Sequence, residues 1–258
     1  MNARSYSLSI ALAFLLCGCN SIIKSHDVFF QTSTINALLE GVYEGYLTFG
    51  ELAQHGDFGI GTVHGLDGEM VGLDGVFYQI SAKGQVKTID SETKTPFAIV
   101  TFFETDRRAV LEQISGVERL QEVLDELLPE RNIFYAIKID GVFAYVKTRS
   151  VPKQTPPYLP LVKVIENQQT FEFKEIKGTI VGFWCPEYVR GINMPGYHLH
   201  FIAADHSGGG HLLDCRVQRA EVSIDETYDF YMVLPRNESF LGSNLAHEEK
   251  GEVDKIER

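Results

Sequence analysis

The sequence predicts an α/β (α+β) fold, with hairpins and one helix in the amino-terminal half and a small antiparallel barrel or sandwich in the carboxy-terminal half. Three observations carry this reading. Short apolar runs between Phe58 and Phe103 are punctuated by Gly and Asp-Gly pairs, as in hairpins. One amphipathic helix stands out at 117–128. Beyond a Pro-rich break at Ser150–Pro160, six short alternating runs follow one another closely, which suits a small antiparallel barrel or sandwich.

From the amino terminus, Arg4 precedes the apolar run Leu8–Leu16 and then Cys17-Gly18-Cys19. The run is too short to span a bilayer comfortably and has the form of a secretory signal. Leu16-Cys17-Gly18-Cys19 resembles a bacterial lipobox. Residues 1–18 are therefore expected to be a lipoprotein-type signal sequence, with lipid attached at Cys19. The alternatives are an ordinary cleaved signal and a buried helix. Export follows from this reading, with a membrane anchor on the periplasmic or cell-surface side. Residues 19–33 read as a tether.

Residues 34–150 are expected to form the mixed-sheet domain. Ile35, Leu38, Leu39, Val42 and Tyr46 recur at helical spacing, although the second half of that run could turn. Gly59–Gly75 reads as short strands joined tightly, and Val76–Ile80 with Gln85–Ile89 as a further hairpin. Pro96–Phe103 is another strand. In the helix, Val117, Leu120, Val123 or Leu124, and Leu127 or Leu128 make one stripe, which Pro129 closes. Phe134–Ile139 and Val142–Thr148 read as a hairpin around Asp140-Gly141.

Residues 151–258 are expected to be the barrel domain with an acidic tail. Its strands are Thr170–Phe173, Thr179–Trp184, Tyr197–Ala203, His211–Val217, Ala220–Ile224 and Tyr228–Leu234; the chain is polar from Glu238 onward. The 258 residues carry 23 Lys and Arg against 35 Asp and Glu, a net charge of −12. That balance argues against a nucleic-acid partner, which needs a basic face. Of the four cysteines, Cys185 and Cys215 lie in the body of the chain. They could pair in an oxidising compartment or remain as two buried thiols.

Chemistry concentrates at Gly196–His211. His198 and His200 are two apart in a strand-like run, so both imidazoles project from one face. Asp205-His-Ser-Gly-Gly-Gly210 reads as a turn that can carry His211 back beside them. His206 within the turn is expected to be solvated. Three neutral imidazoles converging from neighbouring strands suit a Zn²⁺ with an open coordination position.

Four segments extend this reading. They are Gly59-x-Gly-Thr-x-x-Gly-Leu-Asp-Gly-Glu69, Arg149-Ser-Val-Pro-x-Gln-x-Pro-Pro-Tyr158, Gly178-Thr-x-Val-Gly-Phe-Trp-x-Pro186, and Gly196-Tyr-His-Leu-His200 with Gly209-Gly-His211. Together they resemble the acetolactate decarboxylases, over most of the chain from about Thr34 to Leu234. The fold this resemblance implies has a mixed β-sheet in the amino-terminal half and a small antiparallel β-barrel holding the metal. The resemblance implies zinc-dependent loss of CO₂ from 2-acetolactate to give acetoin, through a metal-stabilised enediolate. It makes His198, His200 and His211 the zinc ligands. Glu69 and Arg149 match the family's catalytic residues, and of the tail candidates Glu248, Glu249, Glu252 and Glu257 for the family's carboxy-terminal glutamate, Glu257 is the choice. Thr62 is a further pocket residue, and a homodimer is implied. Two other readings stay open: a different three-histidine metalloenzyme on a small barrel, and a lipid-anchored binding protein with structural zinc.

Overall fold

The structure, a computed structural model, describes residues 27–246. The chain runs through β1 (Val28–Thr32), α1 (Ile35–Leu39), β2 (Leu47–Thr48), α2 (Phe49–Leu52), β3 (Phe58–Thr62), β4 (Glu69–Leu73) and β5 (Val76–Ile80). It continues with β6 (Val86–Thr88), β7 (Lys94–Thr95), β8 (Ala98–Thr101), β9 (Arg107–Ser115) and α3 (Val117–Leu127). The remainder is β10 (Phe134–Ser150), α4 (Leu161–Val164), β11 (Gln169–Cys185), β12 (Gly196–Ala203), β13 (Gly209–Thr227), β14 (Asp229–Val233) and α5 (Glu238–Gly242). The architecture is mixed α+β and mostly sheet.

A seven-stranded sheet has the order β14-β1-β8-β3-β4-β5-β6, parallel only between β14 and β1. A five-stranded antiparallel sheet has the order β10-β11-β12-β13-β9, and β10 also pairs with β13. Ala136 thus partners Phe183 on one side and Asp225 on the other. β2 and β7 form a separate two-stranded pair.

Local chemistry explains several elements. Asp74 and Gly75 both take positive φ, 51° and 80°, which is the type I′ geometry that lets Leu73 pair with Val76 across a two-residue turn. The α3 stripe lands as expected: Leu120, Leu124 and Leu128 are fully buried and pack with Tyr135, Ile137 and Ile139 of β10. A second core joins the two sheets, with Phe29, Ile60 and Ile99 from one packed on Ala136, Val181 and Phe183 from the other.

Elsewhere the structure corrects the sequence reading. Asp140-Gly141 makes no hairpin, because β10 runs unbroken through it. Gly141 pairs with Gly178 on one side and Ala220 on the other, and a Cβ there would overlap Ala220. The glycine answers close strand packing, not a turn. The expected strand pairs 170–173 with 179–184, and 211–217 with 220–224, are likewise single long strands, β11 and β13. Strand β14 joins the seven-stranded sheet beside β1, away from the strands that carry the histidines. The helix expected from Ile35 stops at Leu39, where Gly41 takes φ +85°. The end of the expected tether is β1, whose Phe29 and Phe30 are fully buried. Strand β9, which lacks a clear apolar alternation, was not anticipated.

The two sheets divide the chain elsewhere than at residue 150. β9 and β10 precede that point yet belong to the five-stranded sheet, and β14 follows it yet belongs to the other. The acidic tail begins in a short helix whose Phe240 packs on Ala37 and Val42. Cys19, Glu248, Glu249, Glu252 and Glu257 lie outside the described residues. Cys185 and Cys215 are both buried, free thiols.

Candidate active site

Strand register builds the site. Arg149 near the end of β10 pairs with His211 of β13, and His211 pairs with His200 of β12. Residues directly opposite in a ladder share a face, so all three point the same way, and His198 joins them by alternation. The connection between β12 and β13 is a turn at 204–208, shorter than the expected 205–210 because Gly209 and Gly210 already pair in β13; His206 in it is exposed and rests near Tyr78.

The three imidazoles face one another, with ring centroids 5.1, 5.1 and 5.4 Å apart. One ring nitrogen from each lies within 4.8 Å of the others. His200 Nδ1 is 2.9 Å from the Met70 carbonyl, an acceptor, so Nδ1 carries the proton and Nε2 presents a lone pair. That Nε2 is buried with no hydrogen-bond donor, and so is His198 Nδ1. Glu69 Oε2, also an acceptor, stands 3.7 Å from His200 Nε2. Buried lone pairs facing one another are costly unless something positive lies between them. The residues present therefore fit a metal ion.

Electrostatics agree. Burial holds His200 down to about 3, with the Met70 carbonyl opposing and Arg149 adding to the depression. His198 and His211 are pushed well below the ordinary histidine range, again chiefly by burial. All three are neutral at pH 7, the form in which an imidazole can ligate a metal. Burial pushes Glu69 up to about 7 against the opposing pull of Arg149. A dication held among the imidazoles would act on Glu69 in the same direction as Arg149.

Glu69 comes from the other sheet. It opens β4 directly after Gly68, whose φ of +81° and closeness to the Ile80 carbonyl leave no room for a side chain. Its Oε1 accepts from Arg149 Nη1 at 3.2 Å, with both side chains under a tenth exposed. Thr62, paired with Glu69 in the ladder, donates to the Gly68 carbonyl at 2.6 Å and so braces the turn before it. These groups line one cavity. Its apolar wall is Ile35, Leu38, Phe97 and Leu161, none of which the sequence reading assigned to the site. The Met70 carbonyl was missed as well, and a backbone acceptor leaves no signature in sequence.

Residues 29–247 match the family model for alpha-acetolactate decarboxylase, over four-fifths of the chain. The chain belongs to the alpha-acetolactate decarboxylase family. The alpha-acetolactate decarboxylase of Methanosarcina mazei is 48% identical over 235 residues, 91% of this chain and 82% of that one. The one from Methylococcus capsulatus is 43% identical over 234 residues, covering 91% and 90%. The crystal structure of alpha-acetolactate decarboxylase from Bacillus subtilis strain 168 superposes with a TM-score of 0.85 at 38% identity, covering 89% of this chain and 97% of that chain. The protein is thus a member of a family of carboxy-lyases, and its three-histidine group can hold a metal.

Proposed function

We propose that this alpha-acetolactate decarboxylase family member removes CO₂ from 2-acetolactate to give acetoin, with Zn²⁺ held by His198, His200 and His211. The observation that carries the reading is the facing set of neutral, buried imidazole nitrogens beside Glu69 and Arg149. A three-histidine set with a fourth position open is the ligand pattern of catalytic zinc. When bound, the ion supplies Lewis acidity for the electron pair that the departing carboxyl group leaves behind.

The chain's own groups do the rest. Arg149 presents a planar cationic fork, suited to orienting the substrate carboxylate. Its ion pair with Glu69 fixes the direction of that fork. Glu69 is the carboxyl group that can hold a proton beside the reacting carbon. Ile35, Leu38, Phe97 and Leu161 exclude water, which strengthens every charge interaction inside. The family resemblance alone assigns Glu257 of the tail a part in the reaction.

Other parts of the reading rest on sequence or pairing alone. The lipobox-like Leu16–Cys19 supports export and lipid anchoring at Cys19. The cycle of pairings β10-β11-β12-β13-β10 supports describing that sheet as a small barrel. A homodimer follows from the resemblance. The deciding experiment is incubation of purified protein with racemic acetolactate, with and without a chelator, measuring acetoin. Acetoin formed only with metal present supports the reading. No acetoin from the zinc-loaded protein overturns it.

A further inference from the structure

The candidate site straddles two sheets, so something must set the alignment of one against the other. The histidines and Arg149 belong to the five-stranded sheet, whereas Glu69 and Thr62 belong to the seven-stranded one. Arg149 is flanked in β10 by two fully buried hydroxyl residues, Thr148 and Ser150. Each hydroxyl is committed to one backbone carbonyl. Thr148 Oγ1 donates to the Gly209 carbonyl at 2.7 Å, two residues before His211 and within the same sheet. Ser150 Oγ donates to the Ile80 carbonyl at 2.8 Å, and Ile80 lies in the other sheet.

The address of that second bond matters. Ile80 is the ladder partner of Glu69, and Ser150 is the chain neighbour of Arg149. One hydrogen bond therefore ties the backbone beside Arg149 to the backbone opposite Glu69, where their side chains meet at 3.2 Å. Nearby glycines allow the approach: a Cβ at Gly68 would overlap the Ile80 carbonyl, and one at Gly210 the Arg149 carbonyl.

We propose that Ser150 is a positioning residue, whose hydroxyl pins β10 to β5 and thereby holds the Arg149 guanidinium against the Glu69 carboxylate. The proposal rests on the decarboxylase reading for its effect on turnover, but not for its structural consequence. Ser150→Ala is expected to keep a full complement of zinc, because the histidines are tied to one another within one sheet. A misplaced reacting group costs up to ~100-fold in rate, so a loss of about 10-fold in kcat with KM changed less than about threefold is expected. Arg149→Lys should cost activity by itself, and adding Ser150→Ala to it should cost less than about twofold more, since the pin then has no fork to aim.

The test combines crystal structures of wild type and Ser150→Ala with zinc analysis and kinetics of the four proteins in the cycle. An Arg149–Glu69 pair that stays within hydrogen-bond distance in Ser150→Ala overturns the proposal whatever the kinetics. So does unchanged kcat with the pair separated, or a Ser150→Ala cost that is equal in both backgrounds. If wild type turns over no acetolactate, the functional reading falls, while the crystal structures still decide the pin. Ser150→Cys, of similar size and with only a weak donor, serves if the alanine variant does not fold; the pin requires an intermediate loss from it.

Discussion

His200 is committed on one nitrogen to the Met70 carbonyl and offers the other, neutral and buried, to whatever lies among the three rings. His200→Ala removes that nitrogen and is expected to abolish both bound zinc and acetoin formation, read by metal analysis and a turnover assay. Arg149 acts through geometry as much as charge. Arg149→Lys keeps the cation but loses the planar fork, so zinc should remain bound while kcat/KM falls by about 100-fold or more. Away from the site, Asp225 is buried near Asp27, Glu104 and Asp106. Burial pushes its pKa up to about 8; the Glu104 amide opposes and the three carboxylates add to the rise. The native state keeps this proton up to about pH 8, whereas an unfolded chain releases it near ~3.9. Between those values the native state binds more protons, so Asp225 erodes stability as pH rises, by up to ~1.4 kcal/mol per pH unit. Asp225→Asn should therefore gain Tm over wild type progressively from pH 5 to pH 8, as followed by thermal melts.

At the scale of elements, the same dipeptide carries two meanings. Asp74-Gly75 is a turn, and Asp140-Gly141 is mid-strand, though both sit between apolar runs. What separates them is the row Gly178–Gly141–Ala220, three small residues aligned across three strands where the backbones crowd. Gly141→Val would force a side chain into Ala220, and a loss of about 1–3 kcal/mol or more is expected in denaturant unfolding. β11 and β13 run on unbroken through the same row, at Gly178 and Ala220. Alternation over a short run announces a strand, but where it continues depends on its neighbours. Helix α1 is a different case, because its spacing was legible and only its end was misplaced. One of its faces (Ile35, Leu38) lines the cavity, and Ala37 receives Phe240 of α5.

The whole molecule brings together residues that the chain separates widely. Arg149 and Glu69 are 80 positions apart and arrive from different sheets. Metal binding should accordingly stabilise the assembled fold, since no such site exists in the unfolded chain. Saturating zinc at about 100 times Kd adds ~2.7 kcal/mol. For a chain of this size that corresponds to a Tm rise of roughly 5–10 °C over the chelated protein, measurable by calorimetry. No shift on chelation would argue against a bound ion in the purified protein.

The sequence by itself determined the chemistry available and the local geometry of its densest motif. Alternation places His198 and His200 on one face, and a glycine turn returns His211, because both rules act over a few neighbouring residues. The four separated motifs also pointed to Glu69 and Arg149, without saying how they meet. Only the tertiary structure decided that they share one cavity, that Met70 orients His200, and that a Ser150 hydroxyl bridges the sheets at that point. It also decided that β14 completes the other sheet and that Asp140-Gly141 does not turn. Those outcomes follow from pairing and packing between distant strands, whose energies no local window contains.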